Sequence, residues 1–242
     1  MTDRKTIAIF GAGTGLGASV ARRYGKAGFR VALVARNAQS LDQRVSELSA
    51  DGIDAAAFPG DLNEIDAIAA LVGKIEGKSG PIHTAVFAPV GSFRMLPAVD
   101  LTAASLKELV NILTLAPVEV VRAVLPGMLA RGNGAIIVAD GLSAVTPMAG
   151  MSGPGPAFAA TRNYILGLHE EIKARGVFAG MLHIGAMIDN STGLRVAAAN
   201  GLPLDDPRLT TIDPDVLAEE IWSMAADRSR AESILPASHY SH

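Results

Sequence analysis

The sequence predicts an α/β protein, a single domain over residues 1–242 built on a doubly wound parallel sheet with helices on both faces. Short apolar, often β-branched runs recur along the chain, apolar throughout, with segments of helical apolar spacing between them. Strands buried on both faces read this way, and parallel strands need a helical crossover. The first apolar run breaks into four glycines within seven residues, Gly11-Ala12-Gly13-Thr14-Gly15-Leu16-Gly17, and then into a helical pattern. With 242 residues, 49% of them hydrophobic, the chain suits one large core, and no internal repeat, low-complexity tract or linker divides it.

The elements follow in order. Residues 7–10 read as the first strand, with a helix over 18–24 after the glycines. A second strand covers 29–35 and is closed by Arg36-Asn37. A helix over 38–48, a strand over 54–58, a helix over 63–75 and a strand over 82–88 come next, and Pro89-Val90-Gly91 forms a turn. Leu106, Leu109, Val110, Leu113, Pro117, Val120, Val121, Val124 and Met128 repeat at helical spacing and set a long helix ending near 126–132. Residues 134–139 make a fifth strand. The stretch 141–156 is rich in glycine and proline and reads as loop, leading into a helix over 157–175. A sixth strand spans 177–184, and 187–209 reads as a mobile segment. Asp213-Pro214 starts a helix running to about 227, and 233–235 forms a short last strand.

Composition excludes several functions. A net charge of −3 without a long basic run offers no surface for tracking phosphates, so no nucleic-acid partner is expected. The chain has no cysteine, which removes disulfides, thiolate chemistry and Cys-ligated metals. Histidines at 83, 169, 183, 239 and 242 lack ligand spacing, and no metal is expected. Met1-Thr2-Asp3-Arg4-Lys5 runs into a strand without an apolar targeting segment, and no charge-free stretch reads as a membrane span. A soluble, cytoplasmic protein is the expectation.

The turn over Gly11, Gly13, Thr14, Gly15, Leu16 and Gly17 has the composition of a dinucleotide site. Without a Cβ the backbone takes φ > 0, admits a pyrophosphate closely and aims N–H groups of a helix start at it, where the macrodipole favours negative charge. A glycine turn with no ligand is the alternative. In such a fold the residue closing the second strand meets the adenosine ribose, and a carboxylate there accepts from the 2′-hydroxyl whereas an arginine suits a 2′-phosphate. Ala35 closes the strand and Arg36 follows, which favours NADP over NAD; the other reading of Arg36 is a solvated cation at a helix start. Asp61, followed by Leu62, either accepts from an adenine amino group or caps the helix over 63–75.

This ordered set resembles the short-chain dehydrogenase/reductase family over nearly the whole chain. The spacing Gly11-x-x-x-Gly15-x-Gly17 is that family's version of a Rossmann-type glycine turn. Asp61-Leu62 matches its adenine-pocket pair, Asn111 its structural and proton-relay asparagine, and Gly185 the glycine of its Pro-Gly after the sixth strand. The departures fall where the chemistry belongs. The family's Tyr-x-x-x-Lys matches Phe158-Ala159-Ala160-Thr161-Arg162, so phenylalanine stands where the tyrosine donates a proton and arginine where the lysine holds the nicotinamide ribose. Arg162 lies on the same helix face and has five donors for ribose hydroxyls, but its charge is fixed and there is no phenol to tune. Tyr164 lies about 120° around the helix from Phe158. The substrate-orienting serine slot is Gly141, with Ser143 as a stand-in or as a plain turn serine. The family's Asn-Ala-Gly after the fourth strand is Phe87-Ala88-Pro89, the proline of Pro-Gly is Ile184, and the threonine beyond it is Asp189.

The resemblance implies an NADP(H)-dependent oxidoreductase acting on a small carbonyl or alcohol, with an altered site at Phe158 and Arg162. The alternative is a catalytically silent NADP-binding homologue acting as sensor or partner subunit. It further implies a homodimer or homotetramer joined through the fourth and fifth helices, around residues 116–124 and 157–168, unless those stripes face the sheet. Phe93, Met95, Met148, Met151 and Met187 hint at an apolar substrate pocket; such residues are also ordinary core.

Overall fold

The computed structural model describes residues 4–89, 96–199 and 209–237. Seven strands form one parallel sheet: β1 (Thr6–Phe10), β2 (Arg30–Ala35), β3 (Ala55–Pro59), β4 (Ile82–Phe87), β5 (Gly134–Gly141), β6 (Val177–Ile184) and, among the described strands, one further member at the edge (Glu232–Leu235). That last strand is β9, since two short strands, β7 (Met187–Ile188) and β8 (Thr211–Ile212), pair with each other outside the main sheet. The spatial order is β3-β2-β1-β4-β5-β6-β9, so the winding reverses direction between β1 and β4. Ligands of open parallel sheets bind at the carboxyl ends of the strands, at such a switch point.

Helices cover both faces, as expected. One face takes α3 (Ile68–Ser79), α5 (Ala116–Arg131) and α6 (Pro154–Ile172), which pack on Phe10, Ile136, Val138 and Met181. The other takes α1 (Leu16–Lys26), α2 (Ala38–Ala50) and α8 (Pro214–Asp227), which pack on Ile7, Ile9, Leu33, Ile137 and Leu182. Local chemistry sets the boundaries. Asn37 accepts from the Ser40 N–H at 2.8 Å to start α2, and Asp213 accepts from the Asp215 N–H at 2.8 Å ahead of Pro214 to start α8.

Several boundaries depart from the sequence reading. The helix expected over 63–75 begins as a 3₁₀ turn at Ile65–Ala67 and becomes α3 at Ile68, because Asp61 spends its carboxylate on the Asn63 N–H (3.0 Å) and side-chain amide (2.9 Å) in a tight turn. The loop expected over 141–156 holds a 3₁₀ turn at Leu142–Ala144, and α6 starts three residues early at Pro154, where a missing N–H costs a helix nothing. The segment expected to be mobile contains β7 and a further helix, α7 (Thr192–Ala199), in its described part. Phe93, Met95, His239 and His242 lie outside the described residues.

The long helix is α4 (Ala103–Val110), a π-helical turn (Asn111–Leu115) and α5 in one run. The run from Ala103 to Arg131 has the length and mean apolarity of a membrane-crossing helix but is not charge-free. It carries Lys107, Glu108, Glu119 and Arg122, and Leu113, Val120, Val121, Val124 and Met128 are buried in the protein, which is the pattern of a core helix. The π turn shifts carbonyls out of register and α6 uses one of them, Thr161 donating to the Leu113 carbonyl at 2.6 Å; in return the Thr114 hydroxyl of the π turn donates to the Ala157 carbonyl of α6 at 2.9 Å.

A string of charges ties α6 to the sheet edge. Asp140 and His183 are paired residues of β5 and β6, both facing α6 and both buried. His183 Nδ1 lies 2.5 Å from Asp140 Oδ1 and its Nε2 lies 2.8 Å from Glu232 Oε1. Glu232 in turn accepts both a Nε and a Nη2 bond from Arg162, the second at 2.9 Å. An imidazole between two carboxylates needs a donor at each contact, so the string holds an extra proton and is neutral as a whole. Burial pushes the Asp140 carboxyl up to about 6, against the pull of His183. Burial works to lower the His183 pKa, but the bonds to Asp140 and Glu232 outweigh it and the net direction is upward. Arg162 holds Glu232 below its usual range.

Two outcomes follow. Both raised groups bind their proton more tightly folded than unfolded, so their stabilisation is complete in acid and is lost as pH rises, through about 6 for Asp140 and through the raised His183 value above it. Unfolding free energy from urea titration falls between pH 6 and 9, and His183→Gln flattens this slope while destabilising the protein by about 3 kcal/mol at pH 6.5, because it strands a buried carboxylate. Gly11 has φ +99°, and a Cβ there would lie 2.5 Å from Pro89 Cα. Gly11→Ala therefore costs more than about 2 kcal/mol in the same measurement, since backbone must move to admit it.

Candidate functional site

The carboxyl ends of β1, β4 and β5 frame the site, and the glycine turn is its floor. Ala88 donates its N–H to the Phe10 carbonyl at 2.8 Å, which continues β4 against the turn and brings Pro89 onto Gly11. The turn folds on itself through the Gly13 N–H to the Gly11 carbonyl at 2.7 Å. Helix α1 then starts at Leu16 with no side-chain cap on its first N–H groups. An uncapped helix start at the carboxyl edge of a parallel sheet suits a phosphate group. Arg36 is exposed just past Ala35 at the end of β2, where a ribose phosphate would lie.

Leu16 and Leu62 are buried at 6% and 5% exposure, so their side chains serve the two cores and only their backbone faces the turn region. Asp61 is committed to its turn with Asn63. The Gly185 N–H is bonded to the Leu235 carbonyl at 2.8 Å and fixes the chain where it leaves β6.

The start of α6 brings Phe158 against Gly141 and Ser143. A Cβ placed on Gly141 would lie 3.5 Å from Phe158 Cε2 and 3.7 Å from Ser143 Oγ. Phe158 is buried among Leu113, Ala144 and Ala157. Ser143 is 7% exposed, and among the described residues its hydroxyl meets no hydrogen-bond partner, which does not fit a turn-capping serine. A buried hydroxyl without a partner is costly and marks a site that expects one. Asn111 opens the π turn and donates to the Asn63 carbonyl at 3.0 Å, tying the helix to the loop after β3. Tyr164 is half-buried against the sheet-side core, away from Phe158.

Arg162 is the main surprise. The sequence reading aimed it at ribose hydroxyls; the structure forks it onto Glu232 at the sheet edge. Asp140, His183 and Glu232 were not singled out from the sequence. The available signal was a titratable residue continuing the inward register of an apolar strand, Ile136-x-Val138-x-Asp140 on β5 and Ala179-x-Met181-x-His183 on β6.

A second missed feature is the cover over the turn. A Cβ on Gly15 would lie 2.9 Å from Ser191 Cβ and 3.1 Å from Ile188 Cγ2, so β7 and the start of α7 rest on the glycines. Thr14 and Thr192 hydroxyls lie 3.3 Å apart. Arg195, one turn into α7, donates to Thr14 at 2.9 Å, to Thr192 at 3.1 Å and to the Asn190 carbonyl at 3.1 Å.

Comparison with known proteins agrees with this arrangement. A family model described as short chain dehydrogenase matches residues 5–195. A short chain dehydrogenase of Pseudocercospora fijiensis (strain CIRAD86) is 30% identical over 237 residues, covering 96% of this chain and 72% of that protein. Among solved structures, a metagenomic short-chain oxidoreductase in complex with NADP superposes with a TM-score of 0.78 at 26% identity, over 96% of both chains. A gluconate 5-dehydrogenase from Burkholderia cenocepacia J2315, solved with NADP and tartrate, reaches a TM-score of 0.84 at 21% identity, over 96% of this chain and 94% of that one, and shares the fold. With its glycine turn, its strand order and a family match running from β1 into α7, the chain belongs to the short chain dehydrogenase family.

Proposed function

We propose that the protein is an NADP(H)-dependent oxidoreductase of a small carbonyl or alcohol substrate, working through an altered active site. The observation that carries this reading is the uncapped start of α1 on the glycine turn, with the exposed Arg36 beside it. NADP in the similar short-chain oxidoreductase supports it. The turn and α1 would hold the pyrophosphate and Arg36 the 2′-phosphate. When bound, the nicotinamide exchanges hydride with the substrate.

The chain's own residues then orient the substrate. Ser143 presents the unpartnered hydroxyl of the site and donates to the carbonyl oxygen, polarising it as negative charge develops. Phe158 contributes a wall and no proton. The proton comes from water or from the substrate, and losing a positioned general acid slows the reaction by about 10²–10⁴-fold. A slow reductase, or one restricted to activated carbonyls, is the consequence. A soluble, cytoplasmic location and assembly into a homodimer or homotetramer through α5 and α6 belong to the same proposal. In the structure Val120, Val121, Val124, Ile165 and Leu168 face the sheet, which leaves Leu115, Ala159 and Ala160 exposed for such a contact.

One observation favours the second reading, a silent NADP-binding homologue: Arg162 is engaged by Glu232 rather than turned to the cofactor side.

Titration of NADPH and NADH into the purified protein tests the cofactor: NADPH binds about tenfold or more tighter, Arg36→Ala erases the difference, and binding of neither overturns the proposal. Consumption of NADPH over a panel of ketones, aldehydes and enones tests the chemistry. Slow turnover that Ser143→Ala abolishes, and that Phe158→Tyr with Arg162→Lys raises by about 10²-fold or more, supports the altered site. Wild type without turnover on any substrate, beside an active double variant, establishes the silent reading instead. A monomeric mass by light scattering ends the assembly proposal.

A further inference from the structure

We infer that Arg195 is a phosphate clamp, reaching from the cover of the site onto the glycine turn to hold the dinucleotide's pyrophosphate, with Arg44 of α2 adding charge behind it. The inference rests on the functional reading above and assigns that site a cation which neither the glycine motif nor the end of β2 contains.

Position comes first. Arg195 is 181 residues from Thr14 in sequence, yet its Nη2 sits 2.9 Å from the Thr14 hydroxyl, in the middle of the turn. The approach is built rather than incidental: Ser191 and Ile188 pack so closely on Gly15 that any side chain there would collide, and Ser191 accepts from the Leu194 N–H at 3.0 Å to start the helix that carries Arg195.

Charge is the second point. All three acceptors of Arg195 are neutral oxygens, those of Thr14, Thr192 and Asn190, and it forms no ion pair among the described residues. Among the described residues three of its five N–H donors are spent, leaving two unengaged there. The residue at the start of α7, Thr192, lies against Thr14, two residues before α1, with their hydroxyls 3.3 Å apart, so the positive ends of two helices lie near one another. Arg44 adds a further cation. It lines a cavity with Ala18, Arg22, Glu47 and Asp51 beside α1, and its Nε is buried without a partner. Burial lowers the Arg44 pKa first of all; Glu47 opposes this and Arg195 adds to it, so the two guanidiniums feel one another. A pyrophosphate, with two negative charges and oxygens on every side, accepts from the glycine turn below and from Arg195 above.

A clamp on the pyrophosphate does not read the ribose, and this separates Arg195 from Arg36. NADPH and NADH are titrated into wild type, Arg36→Ala, Arg195→Ala, Arg195→Gln and Arg195→Lys, with thermal unfolding of each variant recorded alongside. The expected result is that Arg195→Ala and Arg195→Gln weaken both dinucleotides by about the same factor, on the order of tenfold or more, whereas Arg195→Lys stays within about threefold of wild type and Arg36→Ala weakens NADPH alone. Glutamine keeps a donor for Thr14 without the charge, so an Arg195→Gln variant that binds like wild type reduces Arg195 to a latch on the cover and overturns the inference. Loss confined to NADPH overturns it too, because it would place the 2′-phosphate under Arg195. Wild type that binds neither dinucleotide overturns the functional reading and the clamp with it, whereas binding by wild type and Arg195→Ala alike overturns the clamp alone.

Discussion

A buried imidazole between two carboxylates organises the edge of the sheet beneath α6. His183 is wholly buried, and each of its ring nitrogens faces an acidic oxygen, so the edge of the sheet carries a proton that the fold keeps in place. Glu232 cannot serve this imidazole without also meeting the guanidinium of Arg162, and that contact decides where Arg162 points. The four side chains come from β5, β6, β9 and α6, so the string is also what joins the last strand to that helix. A buried pair of this sort contributes little net stability over an apolar replacement, yet removing one partner is expensive. Its effect is therefore on specificity: it selects one placement of α6 over the sheet.

On the proposed function, that placement accounts for Phe158 and Arg162 together. With phenylalanine in the tyrosine position there is no phenol whose ionisation a neighbouring cation needs to tune. The arginine four residues on is released from that task and bonded to Glu232. Ser143 keeps a buried hydroxyl without a partner beside Phe158, at a cost that only a substrate oxygen or similar acceptor relieves. At the glycine turn, Gly11 is held against Pro89, Gly15 is held against Ser191, and the first N–H groups of α1 have no side-chain cap.

Much of the fold was legible in the chain. Apolar runs without alternation announce strands buried on both faces, and the sixth strand and the α8 helix appear where their residues place them. The glycine turn reads directly because few other reasons put four glycines in seven residues ahead of a helix. What misled the reading were positions where a side chain had a local alternative. Asp61 turned to Asn63 instead of starting a helix, Pro154 opened α6 from within a stretch that looked like loop, and Thr192 opened α7 in a segment without a strong apolar pattern. The π turn at Asn111–Leu115 leaves no mark in apolar spacing, because one extra residue in a wide apolar stripe keeps the same side buried.

The sequence by itself determined the fold class and the glycine turn between β1 and α1, since each follows from residue types at short spacing along the chain. Only the tertiary structure decided the partner of Arg162, the proton shared across Asp140 and His183, the missing partner of Ser143 and the descent of Arg195 onto Thr14. The contacts among these join segments tens to nearly two hundred residues apart, and like the burial of Ser143 they are set by how the sheet stacks its strands and where a helix comes to rest, which no local pattern encodes.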